Sequence, residues 1–208
     1  MAKKEGFPVE NNYTIQAKQA QQRFLGYDQA ALIQKLHLPF DESWLYPTLL
    51  HRLYRIRRTT GEIQRQEGEQ WLPAGYSEVM TLLDLVCDSL PQRALAHRWK
   101  AMGDFGHLFH TSLLETPDPW ALAVEQNPQG FRRACQALGG TPFPQGDISY
   151  TIVLFDDLPI TLQFWFGDEE FPSALRFLWD ENALQYLKYE TMYFAKDLLL
   201  EALRQNMT

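Results

Sequence analysis

The chain has 208 residues, of which 45% are hydrophobic and 22% are charged, a composition typical of a folded globular protein and too apolar for intrinsic disorder. Its formal charge of −7 at pH 7 argues against nucleic acid and against an anionic membrane surface as partners, because both attract clustered lysine and arginine. With two cysteines, no apolar run of about 18 residues and no apolar core of a secretory signal, the sequence predicts a cytoplasmic protein without a disulfide framework or a membrane span.

The first part of the chain is predicted to be helical. An amphipathic pattern over residues 12–25 predicts a helix, which Gly26 ends. Asp28 is a suitable N-cap for a second, shorter helix that reaches about His37.

The centre of the chain carries the pattern of a β-hairpin. Polar and apolar residues alternate over residues 53–58, a turn follows at Thr59-Thr60-Gly61-Glu62, and residues 63–66 form the returning strand. A further strand is expected at about residues 45–50. A buried helix comes next, because apolar residues recur with helical spacing over residues 77–90.

Two segments separate this helix from the C-terminal strands. Residues 92–115 show no clear periodicity, and we expect them to be mostly irregular. Asn127 and Pro128 are typical of a helix start. Apolar residues spaced as a buried stripe carry that helix to Leu138, and Gly139 ends it.

The final third is predicted to be a three-stranded antiparallel meander followed by a helix. Period-two alternation indicates strands over residues 148–154 and 160–166, and a third strand over residues 174–179 follows an acidic loop. The helix over residues 190–204 is apolar around most of its circumference, so we expect it to pack against the sheet.

These elements predict an α+β fold with a single domain over residues 12–208 and a flexible N-terminus over residues 1–11. The antiparallel sheet would contain the central hairpin and the C-terminal three-stranded meander. The helices over residues 77–90, 128–138 and 190–204 would pack on one face of that sheet.

The acidic loop is the first candidate site. It places the carboxylates of Asp168, Glu169 and Glu170 close to Trp165, whose side chain should face outwards because side chains alternate along a strand. Adjacent carboxylates can hold a cation, and mutual repulsion can raise the pKa of one of them. The simplest interpretation is a solvated loop that prevents aggregation of the sheet end. A ligand- or partner-binding role is expected ahead of catalysis.

The arginine cluster of the central hairpin is the second candidate site. Arg55 and Arg57 should point to the same side of one strand, where their guanidinium groups can bind a phosphate or a carboxylate through paired hydrogen bonds. The alternative is a solvated strand face whose arginines pair with nearby glutamates. The arginines of the cluster and these glutamates are Arg52, Arg55, Arg57, Arg58, Arg65, Glu62, Glu67 and Glu69.

His107 and His110 are the candidates for a metal site. On a helix both imidazoles would face one side and could hold a metal ion, with His97 or a loop carboxylate completing a tetrahedral set. The glutamate of the zinc-hydrolase pattern HExxH is absent beside His107. Cys87 and Cys135 lie on or beside apolar helix stripes, which predicts buried and unreactive thiols.

Several short motifs resemble a known family. They are Leu138-Gly139-Gly140, Gly146-Asp147, Phe164-Trp165, Gly167-Asp168-Glu169-Glu170-Phe171-Pro172 and Phe177-Leu178-Trp179-Asp180. Together they resemble domain-of-unknown-function family 3786, most strongly over residues 82–203. The resemblance implies relatives chiefly in anaerobic bacteria and archaea, some with an iron–sulfur or corrinoid-related module before the similar domain. It implies an accessory or sensing part in anaerobic redox or one-carbon metabolism, and it supplies no catalytic residues. Because the chain has no cysteine-rich motif, an iron–sulfur centre is not expected here.

The sequence therefore favours a cytoplasmic, non-catalytic binding or accessory domain whose small-molecule or protein ligand lies near Trp165 and the acidic loop. One alternative is a metal-assisted hydrolase or transferase that uses His107, His110 and a loop carboxylate. Another alternative is a protein-interaction adaptor that forms a homodimer. No particular cofactor is predicted, and both a monomer and a homodimer fit the sequence.

Overall fold

A computed structural model of the protein describes residues 11–106 and 118–207. The α-helices in these ranges are α1 (Asn12–Phe24), α2 (Gln29–Leu36), α3 (Tyr76–Leu83), α4 (Pro119–Gln126), α5 (Pro128–Ala137) and α6 (Tyr189–Asn206). The strands are β1 (Trp44–Leu45), β2 (Thr48–Leu49), β3 (Arg52–Arg57), β4 (Ile63–Glu67), β5 (Gln70–Pro73), β6 (Trp99–Ala101), β7 (Thr141–Pro142), β8 (Ile148–Phe155), β9 (Leu158–Trp165) and β10 (Ala174–Asp180).

Side-chain caps begin several helices, at Asp28 and Asn127 as the sequence predicts and also at Asn11. Asn11, Asp28 and Asn127 accept backbone N–H groups in the first turns of α1, α2 and α5. The helix predicted over residues 77–90 is observed as α3 followed by one π-helical turn, Asp84–Asp88. Caps and apolar stripes are local signals, so the predicted helix ends agree with the structure to within a few residues.

The N-terminal sheet has the strand order β1-β3-β4-β5, and β2 also pairs with β3. The predicted hairpin is confirmed as β3 and β4, in which Tyr54 lies opposite Arg65. Gly61 occupies the turn with φ 73, a conformation that favours glycine. The strand expected near residues 45–50 is present as the two short strands β1 and β2.

The C-terminal sheet has the strand order β6-β10-β9-β8-β7, and all of its pairs are antiparallel. The predicted meander is confirmed as β8, β9 and β10. The edge strand β6 lies in the region that was expected to be irregular, so that expectation was wrong for Trp99–Ala101. The buried carboxylate of Asp180 fixes the segment just before β6. It accepts hydrogen bonds from the backbone N–H groups of Ala96 and His97, at 2.9 and 2.7 Å.

The α+β class is therefore confirmed. The central hairpin and the C-terminal meander lie in two separate antiparallel sheets rather than in one. One apolar core nevertheless contains residues of both sheets and of every α-helix, for example Phe24, Leu32, Ile56, Leu82, Val124, Phe131, Leu162 and Leu199. None of the helices in the described ranges is both long enough and apolar enough to cross a membrane.

Candidate functional site

The acidic loop has a structural role that the sequence did not indicate. Oδ1 of Asp168 accepts the backbone N–H groups of Glu170 and Phe171, both at 2.8 Å, and these hydrogen bonds lower the pKa of its carboxyl group. Asp168 thus closes the loop, while Glu169 and Glu170 are exposed. None of these three carboxylates lines either of the grooves described below.

Trp165 lies at the end of β9 and is partly exposed, as its predicted outward orientation requires. The guanidinium carbon of Arg176 is 5.3 Å from the centroid of its ring. Trp165 also lines neither groove.

Arg55 and Arg57 lie on the same face of β3, as predicted, and both stack on aromatic rings. The guanidinium carbon of Arg55 is 4.1 Å from the centroid of the Trp44 ring and 4.4 Å from that of Trp71. The guanidinium carbon of Arg57 is 4.2 Å from the centroid of the Trp44 ring. Neither arginine forms an ion pair with a described residue, and Glu67 pairs with Arg65 instead.

The predicted metal ligands His107 and His110 lie outside the described residues. Within the described ranges, no three histidine, cysteine, aspartate or glutamate side chains are grouped so that they could hold a metal ion. Cys87 and Cys135 are buried there as free thiols, and burial raises the pKa of each to about 12. Their burial agrees with the predicted unreactive thiols.

A groove that the sequence did not predict offers both charged and apolar groups to a small ligand. Its volume is ≈ 380 Å³, and it lies between the inner face of the N-terminal sheet, the start of α3 and the end of α6. We call it the inner groove. Its wall includes Leu49, Arg52, Tyr54, Arg65, Glu78, Leu138, Leu198, Glu201, Ala202 and Gln205.

A buried carboxylate, Glu78, organises one wall of the inner groove. Glu78 is 5% exposed, and its Oε1 accepts the hydroxyl of Tyr54 at 2.8 Å. Its Oε2 accepts hydrogen bonds from Nη1 of Arg65 at 3.1 Å and from the backbone N–H of Gly75 at 2.5 Å. Burial, and then the charge of Glu78, raises the pKa of Tyr54 far above its ordinary value. Glu78, Tyr54 and Arg65 therefore satisfy one another's hydrogen-bonding groups on this wall.

Arg52 is the arginine of the inner groove that has no carboxylate partner. It lies on the same face of β3 as Tyr54, and its Nη2 donates to Oε1 of Gln205 at 3.3 Å. It forms no ion pair with a described residue. The pKa of Glu67 is lowered mainly by the hydrogen bond that it accepts from Arg65. The charge of Arg52 also lowers this pKa, but it contributes least.

A second groove of ≈ 470 Å³ adjoins the first and shares Leu50, Arg52 and Leu138 with it. Its edge is the turn between β2 and β3, where Leu50 and His51 have φ values of 49 and 58. Such left-handed conformations cost non-glycine residues about 1–3 kcal/mol each. The imidazole of His51 lies close to Gly139. A Cβ atom placed on Gly139 would be 2.7 Å from Nε2 of His51.

The family model described as domain of unknown function (DUF3786) matches residues 28–202, which is most of the chain. The chain belongs to this family. The matched range includes α2 to α5, both sheets and most of α6, and therefore all of the inner groove's wall except the last turn of α6. No match was found among curated proteins or among solved structures.

The sequence contained part of the signal for this site. Arg52 and Arg65 belong to the predicted arginine cluster, and strand alternation separates Arg52 from Arg55 and Arg57 by face. Tyr54 and Glu78 were missed. The local sign of Glu78 is its position three residues after Gly75, in the first turn of a helix. This is the spacing of a residue that caps the helix start.

Proposed function

We propose that this domain is a non-catalytic binding domain that holds a small organic acid in the inner groove. The observation that carries the proposal is the guanidinium of Arg52, which has no carboxylate partner on the wall of a ≈ 380 Å³ groove. A ligand carboxylate would pair with this guanidinium through two hydrogen bonds. The volume lies within the range of about 300–1,000 Å³ that is common for small-molecule sites.

The rest of the groove supports binding of a molecule with an apolar part. Leu49, Leu138, Leu198 and Ala202 offer apolar surface beside Arg52. Burial of a ligand's carbon atoms against such surface contributes about 25 cal/mol per Å². The wall also carries Arg65 and the carboxylates of Glu67, Glu78 and Glu201, so Arg52 is the cation left to bind a ligand carboxylate. An unpaired guanidinium beside apolar surface fits an organic acid better than inorganic phosphate.

The state of Glu78 and Tyr54 supports a binding role rather than proton transfer. Both oxygens of Glu78 accept hydrogen bonds from the protein, and the Tyr54 hydroxyl donates to one of them. Each group would have to break this network before it could exchange a proton with a ligand. A binding domain of this kind fits the cytoplasmic accessory or sensing role in anaerobic redox or one-carbon metabolism that the resemblance implies.

The proposal is tested by calorimetric titration of the full chain with succinate, citrate and phenylacetate, and with inorganic phosphate for comparison. The variant Arg52→Gln should bind the best of these acids at least about tenfold more weakly, because it loses the paired hydrogen bonds to a carboxylate. Arg133→Gln is the matched control, since Arg133 is exposed and lies outside the groove.

A second variant separates loss of charge from loss of space. Ala202→Leu adds bulk to the groove on a helix where leucine is well tolerated, so it should also weaken binding. Two results would overturn the proposal: no carboxylate binds the unmodified chain, or Arg52→Gln binds as tightly as the control.

A further inference from the structure

The outer face of the N-terminal sheet carries a row of alternating arginine and tryptophan side chains. Trp44, Arg55, Arg57, Gln64 and Trp71 form this surface, which we call the arginine–tryptophan face. They come from β1, β3, β4 and β5, and they point away from the core residues Tyr54 and Ile56. The inner groove lies on the opposite side of the same sheet.

The two guanidinium groups of this face carry charge that no carboxylate of the described residues neutralises. Arg55 donates through Nε and Nη2 to the neutral Oε1 of Gln64, at 2.8 and 2.5 Å, and Arg57 has no side-chain hydrogen bond within the described ranges. Carboxylates are abundant, since the chain has 26 acidic residues. Elsewhere in the chain arginines do reach them, as in the ion pairs of Arg23, Arg65, Arg93, Arg98 and Arg204.

Aromatic stacking holds these guanidinium groups in place before any partner arrives. Arg55 stacks on both the Trp44 and the Trp71 ring, while its Nε and Nη2 donate to Gln64 and, within the described ranges, its Nη1 is left for a partner. Arg57 also stacks on the Trp44 ring. A side chain that is already ordered loses less rotamer entropy on binding, which is worth about 0.5–1.5 kcal/mol for each such residue.

The spacing of the two arginines matches an extended peptide. Arg55 and Arg57 are two residues apart on one strand, so their Cα atoms are separated by about 7 Å. Alternate side chains of an extended peptide have the same separation and point the same way. Two carboxylates at positions i and i+2 of such a peptide can therefore meet both guanidinium groups at once.

We propose that the arginine–tryptophan face docks an extended acidic segment of a partner protein, whose alternate carboxylates pair with Arg55 and Arg57. Charge complementarity selects this occupant, because the face supplies unpaired positive charge in a chain whose net charge is −7. Nucleic acid fits less well, because two guanidinium groups can neutralise two of its phosphates while a chain of net charge −7 repels all the others. A short acidic segment carries few charges beyond the two that this face pairs. The net charge also disfavours a second copy of this chain, because the two copies repel each other.

The test uses the full chain and a fluorescein-labelled peptide, Glu-Thr-Glu-Thr-Glu-Thr-Glu, in a fluorescence polarisation titration at about 50 mM salt, where ion pairs are weakly screened. The control peptide replaces each glutamate by glutamine, so it keeps the shape and loses the charge. The acidic peptide should bind, the glutamine peptide should not, and binding should weaken as salt is added.

Two arginine variants localise the interaction. Arg57→Gln should lower the affinity for the acidic peptide at least about tenfold, and Arg57→Lys should restore only part of it, because lysine keeps the charge but not the planar fork. Arg176→Gln is the matched control, since Arg176 also lies over a tryptophan but belongs to the other sheet. Circular dichroism confirms that each variant is folded.

The proposal is overturned if the glutamine peptide binds as well as the acidic one, or if Arg57→Gln and Arg176→Gln have equal effects. It is overturned in favour of nucleic acid if oligothymidylate binds more tightly than the peptide and Arg57→Gln abolishes that binding. It is overturned in favour of a second copy if sedimentation finds a dimer of the unmodified chain that Arg57→Gln dissociates. Absence of peptide binding at millimolar concentration also refutes it.

Discussion

Single charged side chains in this protein differ sharply in whether the fold already uses them. Asp168 closes its own loop and Asp180 holds the segment before β6, so both carboxylates have a structural purpose. Arg52, Arg55 and Arg57 have no carboxylate partner among the described residues. Charges that the fold leaves unpaired are the better guide to binding, because a partner can still neutralise them.

Glu78 is the side chain whose loss should cost the most stability in the inner groove. In Glu78→Gln, the Arg65 guanidinium keeps Glu67 as its remaining carboxylate partner. The new amide faces the N–H groups of Arg65 and Gly75, which donated hydrogen bonds to the carboxylate. Breaking a buried pair costs about 3–5 kcal/mol. Because the Arg65 side chain is 27% exposed, water compensates in part, and we expect about 2–3 kcal/mol.

Urea unfolding of Glu78→Gln measures this loss. Glu42→Gln is the control, since Glu42 is exposed and its replacement should change the free energy of unfolding by less than about 0.5 kcal/mol. Equal stability of the two variants would show that the Glu78 network contributes nothing to the folded state.

Secondary-structure elements were predicted best where their signals are local. Helices α1, α2, α5 and α6 begin and end close to the expected residues, because capping residues and apolar stripes lie within the element itself. Strand β6 was missed for the opposite reason. Its three residues have no alternating pattern of their own, and they are held by β10 and by Asp180, about 80 residues further along the chain.

The contact between the β2–β3 turn and the end of α5 makes a prediction about Gly139. Its φ of 68 costs a residue with a side chain about 1–2 kcal/mol, and an alanine Cβ would also lie 2.7 Å from Nε2 of His51. Because His51 is exposed and its Nε2 lies at the far end of a side chain that can rotate away, Gly139→Ala should lower the free energy of unfolding by little more than this backbone cost.

Gly68→Ala provides the matched control. Gly68 also has a positive φ, 59, but a Cβ there meets no atom within 4 Å, so this variant measures the backbone cost alone. The two glycine variants should therefore lose similar stability in thermal or urea unfolding, and adding His51→Ala to Gly139→Ala should change little. A Gly139→Ala variant that is clearly less stable than Gly68→Ala, and that His51→Ala restores, would contradict this and show that His51 is held against Gly139.

Across the whole molecule, one core connects two sheets that the sequence suggested would be one. Helix α6 packs against α3 and α5, and its residue Leu199 is fully buried. We therefore expect the two sheets to unfold in a single transition, with circular dichroism and tryptophan fluorescence changing together. Leu199→Ala should lower the free energy of unfolding by about 2–5 kcal/mol and shift both signals equally.

Leu184→Ala is the control for this experiment, because Leu184 is 47% exposed and its loss should have little effect. Two separate transitions in the Leu199→Ala variant would contradict the prediction. They would show that each sheet folds as a unit of its own.

Local sequence patterns were enough to predict the α+β class, most of the helices, the hairpin, the meander, the family and the shared face of Arg55 and Arg57. Each of these follows from periodicity, capping or motif order, which are properties of neighbouring residues. Three features became visible in the folded chain alone: the division into two sheets, the stacking of Arg55 on Trp44 and Trp71, and the position of Arg52 in a groove beside α3 and α6. These features join residues from distant parts of the chain, and the packing that brings them together depends on the shape of the whole core rather than on any local pattern.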